Sequence, residues 1–342
     1  MATLKDVAKE AGLSVTQTSR ALNDHSDVSV ATRERVKDIA RSLQYRPNLS
    51  ARKLVSGRSG LVGLVVPRTY DLASDSMFIE VVSGLSSEFA RRDMQCVLHV
   101  AQEDEPIIPV YKRLVGNGAL DGFVLIDPSH DDKRAAFLSK AKVPFVVHGR
   151  IGSDPGHAYF DIDNETIFHD ITRHLTDLGH RRIALLNGVE GRTYVAARTR
   201  GYLRALTDSR IPPSDAIIRG GAMTESLGLI ATVELFSDPA NRPTAIICGS
   251  VRIAKGVYQA LQGLGLSIPD QVSVFAHDDH IAQMKTEAFY PALSVTDAPM
   301  RESWQPLAAC LDGAISGAPL SDLQVIGSHR TILRHSTAPP CQ

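Results

Sequence analysis

Residues 3–23 read TLKDVAKEAGLSVTQTSRALN, and this stretch decides the fold at the head of the chain. Leu4, Val7, Ala8, Ala11 and Leu13 recur at helical spacing. Thr3 precedes them as an N-cap. Asp6 follows three residues on, a carboxylate in the first turn where backbone N–H groups lack partners. Gly12 ends the segment, because glycine takes the left-handed C-cap conformation at little cost. Ser14 then caps a second helix, Val15 to Leu22. A third is predicted from Ala31 to Leu43, with Val36, Ile39, Ala40 and Leu43 on one face. Two short helices joined by a Gly-Leu-Ser turn are the helix-turn-helix pattern, whose second helix offers its N-terminal side chains to the DNA major groove. Those side chains are Val15, Thr16 and, one turn on, Arg20. An arginine can grip a guanine edge through two parallel hydrogen bonds, and Val15 and Thr16 can meet a thymine methyl or a phosphate. A plain helical subdomain is the bland alternative. The turn, the caps, Arg20 and the local charge together weigh against it.

The chain has 342 residues, too many for one hydrophobic core, so two or three domains are expected. The net charge is −1, but it is unevenly spread. Residues 1–60 carry eleven Lys and Arg against six Asp and Glu, and the excess of acid lies in the remainder. A small basic head on an acidic body suits a head that touches phosphates. Cys96, Cys248, Cys310 and Cys341 are scattered, with no CxxC pair, so neither a disulfide frame nor a zinc site is expected. No apolar run approaches the ~20 residues that span a bilayer. The opening MATLKDVAKEAG has no apolar signal region, which predicts a cytoplasmic protein, at the nucleoid when bound to DNA.

The head gives way to a linker at residues 46–60, RPNLSARKLVSGRSG. Pro47 should end the third helix, Asn48 can cap a short hinge helix, and Gly57 and Gly60 can close it. So short a segment is marginal as an isolated helix, and is expected to order when two copies pair on DNA. From Leu61 the pattern changes. Short apolar runs read as buried strands at Leu61–Val66, Gln95–Val100, Gly122–Ile126, Phe145–His148, Arg182–Leu186, Ala245–Cys248 and Val272–Ala276, with a last one near 327–333. Helix-length amphipathic segments alternate with them: Phe78–Arg91, Ile107–Val115, Glu165–Leu178, Arg198–Asp208, Glu225–Leu235 and Arg252–Leu264. Strand–helix alternation implies parallel sheets with crossover helices, and the count suggests two sheets. Ligands of such sheets bind beyond the carboxyl ends of the strands, so two facing sheets make a cleft.

The head motif, followed by VSVATRERVKDIARSLQYRPNLSARKLVSGRSGLVGLVVP at 28–67, resembles the lactose-repressor (LacI/GalR) family, and the core pattern extends the likeness nearly end to end. The resemblance implies an all-α helix-turn-helix headpiece with hinge (1–58) plus an α/β periplasmic-binding-protein-like core (60–342) of two doubly wound parallel-sheet lobes. It divides the core into lobe 1, 61–160 and 291–323, and lobe 2, 161–290 and 324–338, the chain crossing near Phe160, Tyr290 and Gln324. It makes Val15, Thr16 and Arg20 base-reading residues. Thr3, Ser14, Ser29, Thr32 and Asn48 fall at phosphate-contacting or capping positions. Ala51 and Leu54 fall in the hinge, where paired leucines wedge into the minor groove of a palindromic operator. An apolar wedge kinks a duplex, and a homodimer supplies two. One departure stands out: Gln17-Thr18 occupies the place of the family's Thr-Val.

For the cleft, the resemblance gives Arg198, three residues before Gly-Tyr, and Asp278, in VFAHDDH, as effector-binding residues. Ser250 and Phe78 fall where a polar group reaches the effector and an aromatic ring stacks on it. An interlobe salt bridge is the alternative role for Arg198 and Asp278. VPFVVHGR places His148 at a strand end and Gly149 where the family has aspartate, and Val251 replaces the aspartate common after Ser250. His148 can donate to a sugar hydroxyl, or be a satisfied strand-end histidine. VVHGR, YFDIDN, LGHRRIALLNG and VFAHDD look most like regulators of α-glucoside uptake in alpha-proteobacteria, so the expected effector is a mono- or disaccharide, specifically an α-glucoside. The expected role is a repressor of a carbohydrate-utilisation operon, with a purine-type or other co-repressor as the alternative. A transport-type sugar-binding protein fits the core alone, but not the basic head. An enzyme is not expected: there is no GxSxG elbow, Walker loop or complete GxGxxG. HDDH at 277–280 is a weak metal candidate, because consecutive strand residues point apart. No cofactor or metal is expected. Pairing is predicted through helices after Phe78 and near Tyr111 or Ala254, and the absence of a leucine heptad after the last strand argues for a dimer over a tetramer.

Overall fold

The computed structural model describes residues 2–22, 24–45, 58–67, 76–102, 105–153, 155–281 and 284–341. The chain divides into two compact units, residues 1–60 and 61–342. Among the described residues the first holds three helices, α1 (Leu4–Ala11), α2 (Val15–Leu22) and α3 (Val30–Ser42). Their apolar faces meet in a small core of Val7, Ala11, Ala21, Val36 and Ala40. Local chemistry sets each boundary. Thr3 and Asp6 form a reciprocal capping box on α1, and Gly12 closes it at φ 64°. Ser29 caps α3, its Oγ accepting from Thr32 N at 3.2 Å, which starts the helix one residue earlier than predicted.

The same logic accounts for Gln17-Thr18. Ser14 Oγ accepts from Gln17 N at 3.2 Å, and Gln17 Oε1 accepts from Ser14 N at 3.2 Å. Glutamine is therefore the fourth residue of a second capping box, on α2. Thr18 is fully buried, and its hydroxyl donates to Ser14 O at 3.0 Å. A valine-shaped side chain fills the core while its one polar atom is satisfied within the helix.

The second unit holds twelve strands among the described residues: β1 (Leu61–Val66), β2 (Gln95–Val100), β3 (Gly122–Leu125), β4 (Phe145–His148), β5 (Ala158–Ile162), β6 (Ile183–Asn187), β7 (Ile217–Gly220), β8 (Ala245–Cys248), β9 (Ser273–Asp278), β10 (Ser294–Asp297), β11 (Gln324–Gly327) and β12 (Arg330–Ile332). They form two six-stranded sheets, ordered β11-β5-β4-β3-β1-β2 and β12-β10-β9-β8-β6-β7. Every pairing is parallel except β10 with β12. The helices are α4 (Ser76–Ala90), α5 (Ile107–Gly116), α6 (Lys133–Lys140), α7 (Asn164–Asp177), α8 (Thr193–Asp208), α9 (Glu225–Phe236), α10 (Val251–Gly263) and α11 (Trp304–Ser316). Each sheet is covered on both faces by apolar clusters, the doubly wound arrangement expected.

The lobe boundaries need correction. The first passage follows β5, at Ile162, close to the predicted Phe160. The second lies after Asp297, not near Tyr290, and the third lies between Gly327 and Arg330, not near Gln324. Two short strands cause the shift. β10 stays in the second sheet beside β9, and β11 completes the first sheet beside β5. β10 reads Ser-Val-Thr-Asp yet is wholly buried, its polar groups matched internally. Ser294 N donates to Ser336 Oγ at 2.7 Å, Thr296 Oγ1 pairs with His277 Nδ1 at 3.0 Å, and Asp297 is held by His280 and Arg330. A strand whose buried residues are polar leaves no apolar run to read.

Candidate functional site

In the first unit, the N-terminal half of α2 is the exposed face. Val15 is 41 % exposed, a large apolar side chain left in solvent, and Thr16 and Gln17 are exposed beside it. Arg20 lies one turn from Thr16 on the same side. Its Nε donates to Asp27 Oδ1 at 3.2 Å and its Nη2 lies 2.5 Å from Asp27 Oδ2. The Arg20 hydrogen bond holds the Asp27 carboxyl below its ordinary range. Thr3, Ser14, Ser29 and Thr32 all sit at helix N-termini: the first three as caps, Thr32 bonded through its own N–H to Ser29. Such termini present backbone N–H groups and a favourable dipole to anions. Asn48, Ala51 and Leu54 lie outside the described residues.

In the second unit, a cavity of about 610 Å³ opens between the two lobes at the carboxyl ends of the strands. Phe78, His148, Arg198 and Ser250 line it together. Asp278 does not. β9 runs two residues beyond the predicted strand, so Asp278 is its last residue and turns inward, where Oδ1 accepts His280 N at 2.8 Å. Its neighbour Asp279 is the aspartate that faces the cavity. Two consecutive aspartates left the motif ambiguous by one residue, and one residue reverses the side of a strand.

Arg198 is the fixed point of the cavity. It is 4 % exposed. Its Nε donates to Asn164 Oδ1 at 2.8 Å, its Nη1 donates to Gly249 O at 2.9 Å, and its guanidinium carbon lies 4.9 Å from the ring centroids of both Phe168 and Tyr194. α8 can carry Arg198 this close to α7 because residue 201 is glycine: a Cβ there would strike the Glu165 carbonyl. Burial presses the Arg198 pKa down, and the negative charge of Asp279 opposes that. Burial also works against ionisation of Asp279, but His277 and Arg198 outweigh it and hold the carboxyl below its usual range. His277 Nε2 lies 3.0 Å from Asp279 Oδ1.

His148 ends β4 with its ring near-parallel to Phe160, centroids 6.3 Å apart. Burial lowers its pKa to about 4, so at neutral pH it is an uncharged imidazole, able to donate once and accept once. Ser250 caps α10 and also lines the cavity, and Val251 beside it is fully buried, so the residue after Ser250 faces the core. Asp161 and Asn164, at the first lobe passage, and Tyr194, at the start of α8, are lining residues that the sequence reading did not single out. Burial raises the Asp161 pKa to about 6, with Arg150 partly offsetting it. The acidic pair in YFDIDN was the available signal, but a passage between lobes has no motif of its own.

One edge of the cleft is joined by direct contacts between lobes. Arg192 Nε lies 3.1 Å from Asp127 Oδ2, Arg192 Nη1 donates to Asp127 O at 3.0 Å, and Thr193 N donates to Pro128 O at 3.0 Å. Asp127 follows β3 of the first lobe, and Arg192 precedes α8 of the second. Among the described residues, no group of three His, Cys, Asp or Glu side chains is gathered as a metal site, and no helix is long and apolar enough to cross a membrane.

Comparison with known proteins agrees with both units. Residues 3–48 match the model of bacterial regulatory proteins, lacI family, and residues 172–337 match the periplasmic binding protein-like domain. The chain is 36% identical over 338 residues to the HTH-type transcriptional regulator AglR of Rhizobium meliloti (strain 1021), covering 98% of this chain and 94% of that one. It is 38% identical over 276 residues to the HTH-type transcriptional regulator RafR of Escherichia coli, covering 80% and 81%. A solved complex of the transcriptional regulator CelR with cellobiose is similar at 27% identity and a TM-score of 0.69, over 98% of this chain and 100% of that one. The lac repressor dimer bound to operator and the anti-inducer ONPF shares the fold, at 24% identity and a TM-score of 0.75 over 98% and 99%. A helix-turn-helix unit with an exposed reading helix, joined to a two-lobed binding core and matched along almost its whole length, makes this chain a member of the lacI family of bacterial regulatory proteins: a DNA-binding transcriptional regulator, not an enzyme.

Proposed function

We propose that the chain represses a carbohydrate-utilisation operon and is released from a palindromic operator by a small sugar, an α-glucoside being the specific assignment. The observation that carries this is the composition of the cavity. It sets a buried guanidinium, a carboxylate held ionised, a neutral imidazole and a hydroxyl around one space, with Phe78 and Phe160 beside them. Sugars ask for this mixture: charged or amide groups that pair with vicinal hydroxyls, and an apolar surface for the C–H face of the ring. At about 610 Å³ the cavity falls within the ~300–1,000 Å³ usual for small-molecule sites. The similar CelR structure is a complex with a disaccharide, cellobiose, which supports the same ligand class here.

The reading helix faces the operator through Val15, Thr16 and Arg20, with Asn48, Ala51 and Leu54 assigned to the linker contacts. A palindrome needs two such heads. Two apolar surfaces support a homodimer: Ile79, Val97, Leu98 and Val100 on α4 and β2, and Leu229, Ile230 and Val233 on α9. The helix near Tyr111 is the weaker candidate, because Tyr111 is buried and α5 turns Lys112 and Arg113 outward. Sugar enters the cleft, is held by both lobes, and shifts the first lobes of the dimer against each other. The linkers separate and operator affinity falls by the difference in sugar affinity between the two states. We place this regulator in the cytoplasm, with the DNA it reads.

The test is a thermal-shift screen of the protein against mono- and disaccharides, followed by operator release with each hit. An α-linked glucoside that raises Tm and releases operator is the expected result. A purine or an amino acid that raises Tm, with no response to any sugar, overturns the assignment.

A further inference from the structure

Asp27 is an exposed carboxylate in the turn between α2 and α3, close to the side chains assigned to the groove. Charge alone argues against it there, since DNA phosphates repel it. Its partner gives the reason. Arg20 meets Asp27 with one edge of its guanidinium, through Nε to Oδ1 at 3.2 Å and Nη2 to Oδ2 at 2.5 Å. The turn is pinned under the pair: His25 N donates to Arg20 O at 3.1 Å, and Val28 N donates to His25 O at 3.1 Å. The neighbouring Asp24 is engaged elsewhere, by Lys37 Nζ at 2.7 Å and Arg33 Nη1 at 3.9 Å on α3. Asp27 is thus the carboxylate assigned to Arg20.

A guanidinium is a rigid planar fork of five N–H donors. The Nε–Nη2 edge is occupied by Asp27, which leaves Nη1 and the outer N–H of Nη2 at the tip. That tip is a pair of parallel donors, the shape that matches guanine O6 and N7. An unheld arginine is a long side chain that must be frozen on binding, and it can reach phosphates and neighbouring bases equally well.

We propose that Asp27 is a specificity-determining positioning residue: it grips one edge of Arg20 and aims the other at a guanine. The proposal rests on the assignment of Arg20 as a base-reading residue. It commits Arg20 to guanine, and it makes an acidic residue favourable for cognate DNA while it stays unfavourable for all other DNA.

The sign of the effect separates this from simple electrostatics. The operator is first obtained by selecting random duplexes on the full-length protein. Binding of wild type, Arg20→Ala, Asp27→Asn, Asp27→Glu and the double variant Arg20→Ala/Asp27→Asn is then measured by fluorescence anisotropy. Each is tested on the selected duplex, on duplexes with that guanine replaced, and on unrelated DNA. Arg20→Ala should lose discrimination at one base pair by about 5- to 150-fold. Asp27→Asn should lose about threefold or more at the same base pair, while its affinity for unrelated DNA rises. Asp27→Glu should recover part of the loss, and the double variant should lose no more than Arg20→Ala. Retained affinity for unrelated DNA shows that each variant is folded. Equal tightening of Asp27→Asn on every duplex, with discrimination intact, overturns the proposal and leaves Arg20 as the reader. Unchanged discrimination in Arg20→Ala overturns the assignment of Arg20, and the proposal with it.

Discussion

Replacing Asp279 with asparagine tests the cavity where structure and motif diverge. The carboxylate faces the cavity, is held ionised by His277 and Arg198, and is placed to accept hydroxyl hydrogens from a sugar. A hydrogen bond to a charged group is worth roughly 1.5–3 kcal/mol. Asparagine keeps one acceptor oxygen but loses the charge and the second acceptor. The loss should fall in the lower half of that range, so the sugar Kd should rise about 10- to 40-fold. Asp278→Asn is the internal control. Its carboxylate turns away and accepts only His280 N among the described residues, a bond that the amide oxygen can keep. Its sugar Kd should stay within about threefold of wild type. Titration calorimetry with the sugar found in the screen reads both values. Operator affinity without sugar should be unchanged in both, because neither residue belongs to the DNA-binding unit. Equal losses in the two variants, or a larger loss in Asp278→Asn, would refute the assignment of Asp279 to the ligand.

Three further predictions follow from other parts of the molecule. Ser14→Ala removes the acceptor that caps α2 and should cost about 1 kcal/mol, and Gln17→Ala about half that, read as loss of operator affinity on warming and as a lower Tm of the first unit. Asp161 and His148 should make opposite contributions to stability over the same pH range. Burial raises the Asp161 pKa to about 6, so the folded chain holds a proton there that the unfolded chain releases near 4, and stability from this group falls as pH rises from about 4 to 6. Burial lowers the His148 pKa to about 4, so here the unfolded chain takes up the proton first, near 6.5, and stability rises with pH from about 4 to 6.5. Denaturant unfolding across that range should therefore show Asp161→Asn gaining on wild type with rising pH by at most about 3 kcal/mol and His148→Gln losing ground by at most about 3.5 kcal/mol; parallel curves would contradict the burial of both groups. Arg192→Ala breaks the contact with Asp127 across the cleft edge and, as a partly exposed pair, should raise the sugar Kd by no more than about fivefold without changing operator affinity.

The head of the chain was almost fully legible because its boundaries are local. Thr3 with Asp6, Gly12 and Ser14 act within four residues of themselves, and the chemistry of a cap can be read from spacing alone; the Ser29 cap, known from the resemblance, starts its helix one residue before the predicted Ala31. Gln17 is the exception: its Oε1 completes a capping box with Ser14, and glutamine in the family's threonine position hides that partnership. In the core, the first seven apolar runs each overlap a strand to within two residues at either end, since a buried parallel strand is a continuous apolar run. β5, β7, β10 and β11 lie outside those runs: β5 carries Asp161, β7 and β11 are half-exposed, and β10 is buried but polar; the lobe boundaries moved with β10 and β11. Two helices were missed as well. α11 carries Pro306 in its first turn and Gly313 further on, punctuation that hides a helix although proline is tolerated at that end. α6 is a short polar helix with only Ala135 and Leu138 buried. Topology located the cleft beyond the strand ends, and the resemblance named Phe78, Arg198 and Ser250 in it. Asp161 and Asn164 were not legible, because they enter the cavity from a passage between lobes whose position depends on the whole fold.

On the function proposed above, the cavity around Arg198 and Asp279 senses a sugar, and its occupation loosens the grip on DNA. The most direct measurement is operator affinity of the wild-type protein, by anisotropy at fixed salt, with and without a saturating α-glucoside. Coupling between two sites in one protein is worth typically about 1–3 kcal/mol. The operator Kd should rise about 5- to 150-fold with the sugar, and the Asp279→Asn variant should need about 10- to 40-fold more sugar to reach the same release. An operator Kd that stays the same, or falls, while calorimetry shows the sugar bound would contradict that coupling.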